Sequence, residues 1–345
     1  MSEFDLIRRY FTRATPGALL GVGDDAALLL ASAGNALAVS TDMLVSGTHF
    51  LADADPFLLG HKTLAVNLSD IAAMGAAPRW ATLALALPAA DEAWLEQFSA
   101  GFFALAQLHR VELVGGDTTR GPLNLCVTII GEVPAQLALR RSGARIGDEI
   151  WVSGTLGDAA LALAHLQGGI VLGEAEFAVC AARLHRPQPR VALGIALRGI
   201  ASSAIDVSDG LLADLGHILE SSQVGAKINY ELLPVSAVMR TEATPLNPPL
   251  SGGKPAPPLT REGRGGGGRP GGIELLQQCI LTGGDDYELC FTAPRARHAE
   301  LLDIAVKLDL PLTRIGEVVA GRDCIVHDAS GNPIQLESSG YDHFR

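Results

Sequence analysis

From about residue 37 to 132 the chain alternates short apolar runs with longer stretches in which apolar positions recur every three or four residues. Leu37–Thr41 reads as a strand. Asp55-Pro56 supplies a capping carboxylate and then a proline suited to the first helical turn, predicting a helix that runs through Lys62 toward Met74. Ala81–Leu87 predicts a buried strand. Trp94, Phe98, Phe102 and Leu105 follow one another at spacings of four, four and three, so they share one helical face and predict packing against a sheet. Val111–Val114 and Leu125–Val133 return to β-type sequence, giving a β-α-β-α-β order. A second unit is expected to begin near Ser142–Trp151, where Gly143, Gly147 and Asp148 precede the strand-like Glu149–Ser153. The division this predicts is residues 1–140 and 141–345, joined between about 135 and 147.

Composition narrows the class. At 345 residues there is chain enough for two domains, and 48% hydrophobic with 19% charged residues fits an α/β protein rather than a disordered one. A net charge of −12 and a pI near 5.2 argue against a nucleic-acid surface. No stretch approaches the roughly 20 apolar residues that cross a bilayer, and the N-terminal residues lack a secretory apolar core, so a cytoplasmic location is expected. Cys126, Cys180, Cys279, Cys290 and Cys324 show no C-x-x-C spacing and predict buried thiols rather than a zinc site or disulfides. The low-complexity segment Thr244–Gly272, with four glycines between Arg264 and Arg269, reads as a loop inserted within the second unit.

The chemistry lies in where the aspartates fall, beside glycines or at the ends of apolar runs. Six segments share this arrangement: Gly21-Val-Gly-Asp-Asp25, Ser40-Thr-Asp42, Asn67-Leu-Ser-Asp70, Gly115-Gly-Asp117-Thr-Thr-Arg120, Asp206-Val-Ser-Asp209-Gly210 and Gly283-Gly-Asp-Asp286-Tyr-Glu288. Any one alone reads as a turn or helix cap. Together they suggest carboxylates aimed into a crevice at the edge of a sheet. Two bare charges about 4 Å apart repel by about 4 kcal/mol at an effective dielectric near 20, so such a cluster calls for cations, and oxygen-only ligands suit Mg²⁺ with a phosphate compound. Paired glycines at 115–116 and 283–284 allow a phosphate close to backbone N–H groups, and Arg120 and Arg141 could fork onto its oxygens. No Walker loop is present. Gly21-Val-Gly23-Asp-Asp-Ala26 matches G-x-G-x-x-A, but two aspartates in that turn would face a pyrophosphate, which disfavours dinucleotide binding.

At these residues the sequence resembles the thiamine-monophosphate kinases, a family in the group that includes aminoimidazole ribonucleotide synthetase, selenophosphate synthetase and a hydrogenase maturation factor. The resemblance covers almost the whole chain. It rests on Gly-Asp-Asp-Ala-Ala at 23–27, Ser-Thr-Asp-Met-Leu-Val-Ser-Gly-Thr-His-Phe at 40–50, Asn-Leu-Ser-Asp-Ile-Ala-Ala-Met-Gly-Ala at 67–76, Gly-Gly-Asp-Thr-Thr-Arg-Gly-Pro at 115–122, Asp-Val-Ser-Asp-Gly-Leu at 206–211 and Gly-Tyr-Asp-His-Phe at 340–344. It implies a two-domain α/β (α+β) fold of the aminoimidazole ribonucleotide synthetase type, with an N-terminal β-α-β sheet domain carrying ATP and Mg²⁺ sites and a C-terminal α/β domain. It further implies a homodimer joined through the N-terminal domains, with ATP as co-substrate near that interface and thiamine monophosphate as acceptor.

By the same resemblance Asp25, Ser40, Thr41, Asp42, Asp70, Asp117, Asp206 and Asp209 bind several Mg²⁺ ions, Ser40 and Thr41 through backbone carbonyls. Gly116, Asp117, Arg141 and Ser208 contact ATP, His49, Asp285 and Tyr341 contact the thiamine phosphate, and Asp42, Asp117 and Asp209 serve the transfer itself. On the residues alone, His49 reads as a structural histidine, Tyr341 as a packing aromatic and Asp24 as a turn residue or one that stands behind the metal ligands. Two features depart from the family pattern: Asp285 stands where Glu is usual, and the Thr244–Gly272 insertion precedes the same motif. Related chemistries in the group and a non-catalytic magnesium-nucleotide sensor are the rival readings. The segment lacks a reactive N-terminal cysteine, and the chain ends in His343-Phe344-Arg345 rather than a cysteine, which disfavours the selenium enzyme and the maturation factor.

Overall fold

The computed structural model describes residues 3–242 and 272–334. Most of the predicted insertion, and the 340–344 motif with Tyr341, lie outside the described residues. The chain divides into two compact units, Met1–Leu139 with Gln188–Gly199, and Arg140–Pro187 with Ile200–Arg345. Each is a mixed α/β unit built on one sheet. Residues 188–199 return to the first unit, a step that the sequence reading, which ran the second domain unbroken from 141, did not contain.

The first unit opens with a short helix α1 (Glu3–Leu6) that widens into a π-helical turn ending at Phe11. Its sheet runs β1-β4-β2-β3, from β1 (Asn35–Val45), β2 (Ala77–Leu87), β3 (Glu112–Arg120) and β4 (Asn124–Pro134). The strands β1, β2 and β3 run parallel, and β4 is inserted antiparallel between β1 and β2. Helix α2 (Pro56–Ala73) starts where expected, the Asp55 carboxylate accepting from the Leu58 N–H with Pro56 in the first turn. It is buried on nearly every side because one flank meets the sheet and the other meets α3 (Glu92–His109).

The aromatic face of α3 therefore packs chiefly on α2 and the N-terminal turn, rather than directly on the sheet as its periodicity suggested. Trp94 stacks on Phe98 with ring centroids 4.9 Å apart, and Phe11 meets the edge of the same ring at 6.5 Å. Two glycines set the helix spacing: a Cβ on Gly60 would run into the Phe98 carbonyl, and one on Gly101 into the Phe57 carbonyl.

In the second unit the sheet order is β10-β7-β9-β5-β8-β6. Its strands are β5 (Asp148–Ser153), β6 (Ser203–Asp206), β7 (Gly225–Asn229), β8 (Leu289–Pro294), β9 (Leu312–Val319) and β10 (Cys324–His327). Helices α4 (Asp158–Leu166), α5 (Glu174–His185), α7 (Leu211–Ser222), α8 (Ala237–Glu242) and α9 (Gly272–Thr282) belong to this unit, as does α10 (His298–Leu308), while α6 (Val191–Ala196) lies in the returning segment of the first. Ile150 and Val152 of β5 join Leu161, Leu211, Leu215, Ile218 and Leu281 in one apolar core. Every residue of β5 is buried, as befits a central strand with covered faces. Cys180, Cys279 and Cys290 are buried as expected, whereas Cys126 and Cys324 are only partly so. No helix among the described residues is long and apolar enough to cross a membrane.

Candidate active site

In the first unit the polar machinery collects where β1 lies against α2. Ser40 and Asp42 alternate with Thr41, so the first two face the helix and Thr41 faces away, its hydroxyl paired with Thr128 at 2.8 Å. Asp70 accepts a hydrogen bond from the Ser40 hydroxyl. One turn earlier on α2, the buried Asn67 accepts from the Asp42 N–H at 3.1 Å and donates its amide to the Thr63 carbonyl at 3.0 Å. The helix thus grips β1 at two points three residues apart, and the fully enclosed Asn67 has both ends of its amide satisfied. Its motif was evident in the sequence; its clamping role was not.

Asp117 is placed elsewhere. It lies on β3, at the opposite edge of the sheet from β1, in the row of Ala84, Cys126 and Met43. Three interstrand steps put it roughly 14 Å from β1. Asp42 and Asp117 of one chain are therefore not brought together around one ion. Gly116 has φ of 147°, and a Cβ there would strike the Leu83 carbonyl, so only glycine lets β3 pass β2 at this point.

Asp25 sits at the tip of a small hairpin closed by paired hydrogen bonds between Leu20 and Leu28, the Leu28 N–H donating at 2.9 Å. Asp24 accepts from the Asp25 N–H at 2.9 Å, which makes it the turn residue expected. This exposed hairpin is not the strand-to-helix turn of a dinucleotide fold. His49 is held in place: its Nδ1 accepts from the Val45 N–H at 3.0 Å, which fixes the ring and leaves the proton of the neutral form on Nε2.

In the second unit Asp206 ends β6, and the ladder continues past it. The Val207 N–H donates to the Glu288 carbonyl at 2.8 Å, the Tyr287 N–H to Val207 at 2.8 Å and the Asp285 N–H to Ser208 at 2.9 Å. The segments 206–210 and 285–288 are thus zipped together. Asp285 and Tyr287 reach this register only with φ of 69° and 50°, left-handed values that cost non-glycine residues about 1–3 kcal/mol each. In return the Tyr287 hydroxyl donates to the Asp285 carboxylate at 2.9 Å.

The other two acids of this motif turn inward. Asp286 takes the Gly157 N–H on both oxygens, at 2.9 and 3.0 Å, and Glu288 pairs with Arg183 and accepts from the Ser153 hydroxyl at 2.6 Å. Burial holds the Asp286 carboxyl well above the ordinary carboxylate range, against the pull of the Gly157 N–H and Arg183. Arg141 is exposed, its carbonyl accepting from the Ser222 hydroxyl at 3.3 Å. Asp214, which the sequence reading did not single out, accepts from the N–H groups of Ser208, Asp209 and Gly210. Burial, with Asp206 and Asp209 beside it, pushes its carboxyl up to about 7.

Among the described residues no three metal-ligating side chains gather on their own into one site. Where β1 lies against α2, Ser40 meets Asp70 and Asp42 shares the strand face of Ser40; these side chains offer only oxygen and suit a hard cation completed by phosphate and water.

Fold and donors together define a two-domain protein of the AIR synthase related class: the model of the AIR synthase related protein N-terminal domain matches residues 23–133 and that of its C-terminal domain residues 145–329. The thiamine-monophosphate kinase of Escherichia coli strain K12 is 46% identical over 99% of this chain and 98% of its own. The crystal structure of thiamine-monophosphate kinase from Stenotrophomonas maltophilia K279a superposes with a TM-score of 0.78 at 47% identity over 96% of each chain. AaThiL complexed with AMPPCP and TMP does so with a TM-score of 0.73 at 30% identity, covering 91% of this chain and 89% of that one. The chain belongs to the thiamine-monophosphate kinase family.

Proposed function

We infer that the chain transfers the γ-phosphoryl group of ATP to thiamine monophosphate, yielding thiamine diphosphate and ADP. The observation that carries this is full-length likeness to named kinases at 46% identity, joined to a related complex that holds AMPPCP and TMP together. A terminal phosphate oxygen of the monophosphate attacks the γ-phosphorus in line; the new P–O bond forms as the bond to the β-phosphate oxygen breaks, and ADP departs. Both reactants are anions. Magnesium, when bound, supplies charge neutralisation and orientation.

Asp25, Asp42, Asp70 and Asp117 in the first unit and Asp206 and Asp209 in the second are its ligands in this reading, with the carbonyls of Ser40 and Thr41. The geometry supports a carbonyl role for these two, since the Ser40 hydroxyl is taken by Asp70 and the Thr41 hydroxyl by Thr128. Gly116, Asp117, Arg141 and Ser208 hold the nucleotide. His49, with Nδ1 committed, offers Nε2–H to the thiamine phosphate, and Asp285, steadied by Tyr287, faces the same substrate. Tyr341 completes that set. No side-chain base is required, because the attacking phosphate oxygen is already anionic. The protein works as a cytoplasmic homodimer whose subunits meet through the open face of the first sheet, where Leu37, Val39 and Met43 stand exposed.

The test is a product assay with purified protein, ATP, Mg²⁺ and thiamine monophosphate, with free thiamine and aminoimidazole precursors as parallel acceptors. ADP and thiamine diphosphate should appear in equal amounts from the monophosphate alone, and Asp42→Asn and Asp117→Asn should each depress turnover severely in a folded protein. ATP binding without any thiamine diphosphate would overturn the assignment.

A further inference from the structure

The loop between β6 and α7 carries two of the residues just named, Ser208 and Asp209, and its shape is imposed from two sides. On one side its carbonyls are taken, Val207 by the Tyr287 N–H and Ser208 by the Asp285 N–H. On the other, the N–H groups of Ser208, Asp209 and Gly210 converge on a single atom, Oδ2 of Asp214, at 2.9, 3.0 and 3.2 Å. Three consecutive N–H groups aimed at one point form a nest, a concavity that ordinarily takes an external anion such as a phosphate. Here the chain fills it with its own carboxylate, which is only 3% exposed.

This is not how helices are usually capped. A cap is usually a short polar side chain at the residue before the first turn, satisfying one or two N–H groups. That position in α7 is Gly210, with φ of 114° and ψ of 149° and no side chain to cap with. The capping group instead reaches back from within the first turn to three N–H groups, two of them preceding Gly210. It also does so at an electrostatic cost, since it places a buried carboxylate beside Asp206 and Asp209. An asparagine or serine would cap a helix without that repulsion. What a carboxylate adds is reach and capacity: from within the first turn a single oxygen accepts three hydrogen bonds at once, which ties down three consecutive N–H groups of 208–210.

We propose that Asp214 is a positioning residue: by filling the nest of residues 208–210 it sets the direction of the Asp209 carboxylate and of Ser208, and it denies that nest to the substrate phosphates. The proposal rests on the reading of Asp209 as a magnesium ligand for what that carboxylate does, and on the hydrogen bonds alone for how it is held.

Two readouts separate these layers. Hydrogen exchange across 207–212 reports the nest directly. In Asp214→Ala, exchange of the three N–H groups should rise by about tenfold or more, the loss expected when three hydrogen bonds to one buried acceptor are removed together. In Asp214→Asn, which keeps one acceptor oxygen, the rise should be smaller. The magnesium concentration giving half-maximal turnover should increase several-fold in Asp214→Ala and less in Asp214→Asn. Ile218→Ala, which opens the core under the same helix, should lower stability and leave both readings unchanged.

Unchanged exchange in Asp214→Ala overturns the proposal, as does an equal rise in both readings for Ile218→Ala. Should Asp214→Ala not fold, Asp214→Asn decides by the same measurements, and wild-type exchange there overturns the proposal. If the exchange rises as expected while Asp209→Asn leaves the magnesium dependence unmoved, the positioning stands and the assignment of Asp209 as a ligand falls.

Discussion

Within Gly283-Gly-Asp-Asp-Tyr-Glu288 four polar side chains divide by direction. Asp286 and Glu288 are sealed against Gly157, Arg183 and Ser153, while Asp285 and Tyr287 pair with each other after two left-handed backbone steps. Glu288 is an anchor: its ion pair with Arg183 is buried and its other oxygen is bonded to Ser153, so removal of one partner would strand a charge. Asp286 adds a pH signature. Its carboxyl titrates well above 3.8 in the folded protein, so between 3.8 and that raised value the folded state holds a proton that the unfolded chain has released. Its contribution to stability is therefore full below 3.8 and is lost as pH rises through the raised value, by up to about 1.4 kcal/mol per pH unit. Asp286→Asn keeps an acceptor for the Gly157 N–H and has no proton to lose. Between pH 5 and pH 7 the wild type should lose more stability in urea than the variant does. Parallel curves would show that Asp286 is already ionised in the fold.

At the crossing of α2 and α3 the same logic is written in glycine. Gly101 touches the Phe57 carbonyl so closely that an added methyl must push the helices apart, costing about 1–3 kcal/mol as in other overpacked cores. Gly216, midway along α7, has open space where a Cβ would stand, so alanine there should stabilise by roughly 0.4–1 kcal/mol through the unfolded chain. Thermal unfolding of Gly101→Ala and Gly216→Ala should therefore shift in opposite directions; a shared direction would mean that the helix crossing is not set by Gly101.

That contrast shows what the sequence could tell and what it could not. Periodicity located β1, α2, β2 and α3 because each is a long, regular run, and Asp55-Pro56 marked the start of α2 to the residue. Periodicity says that a face is buried, but not what covers it, so α3 was assigned to the sheet when its partner is α2. The insertion of β4 between β1 and β2 and the return of 188–199 to the first unit depend on distant backbone contacts, such as the approach of Gly194 to Ala72. Asp42 and Asp70 stood out as acids in motifs. Asn67 and Asp214 act on backbone N–H groups that only the folded chain brings to them.

The first unit has one face that its own packing leaves unexplained. Ser40, Asp42, Leu125, Val127 and Ile129 turn toward α2, and the alternate residues turn the other way: Leu37, Val39 and Met43 on β1, Cys126, Thr128 and Ile130 on β4, Thr82 and Ala84 on β2. Leu37, Val39 and Met43 are 47%, 62% and 54% exposed, on a strand whose other face is covered. Solvent-facing strand positions in a monomer are normally polar, and apolar side chains in one row this open are the surface that the proposed homodimer would cover. Self-association through it is isologous, so one substitution strikes the interface twice. Lysine at position 39 costs the monomer little, because the site is open, yet it would bury two like charges in the dimer. Light scattering should give the wild type a mass of about twice 36.0 kDa and Val39→Lys a mass near 36.0 kDa, with unfolding of the variant otherwise normal. Val306→Lys, at an 82% exposed position on α10, should leave the dimer intact. A monomeric wild type, or a Val39→Lys protein still of double mass, would place the contact between subunits on another surface and leave this apolar row without an occupant.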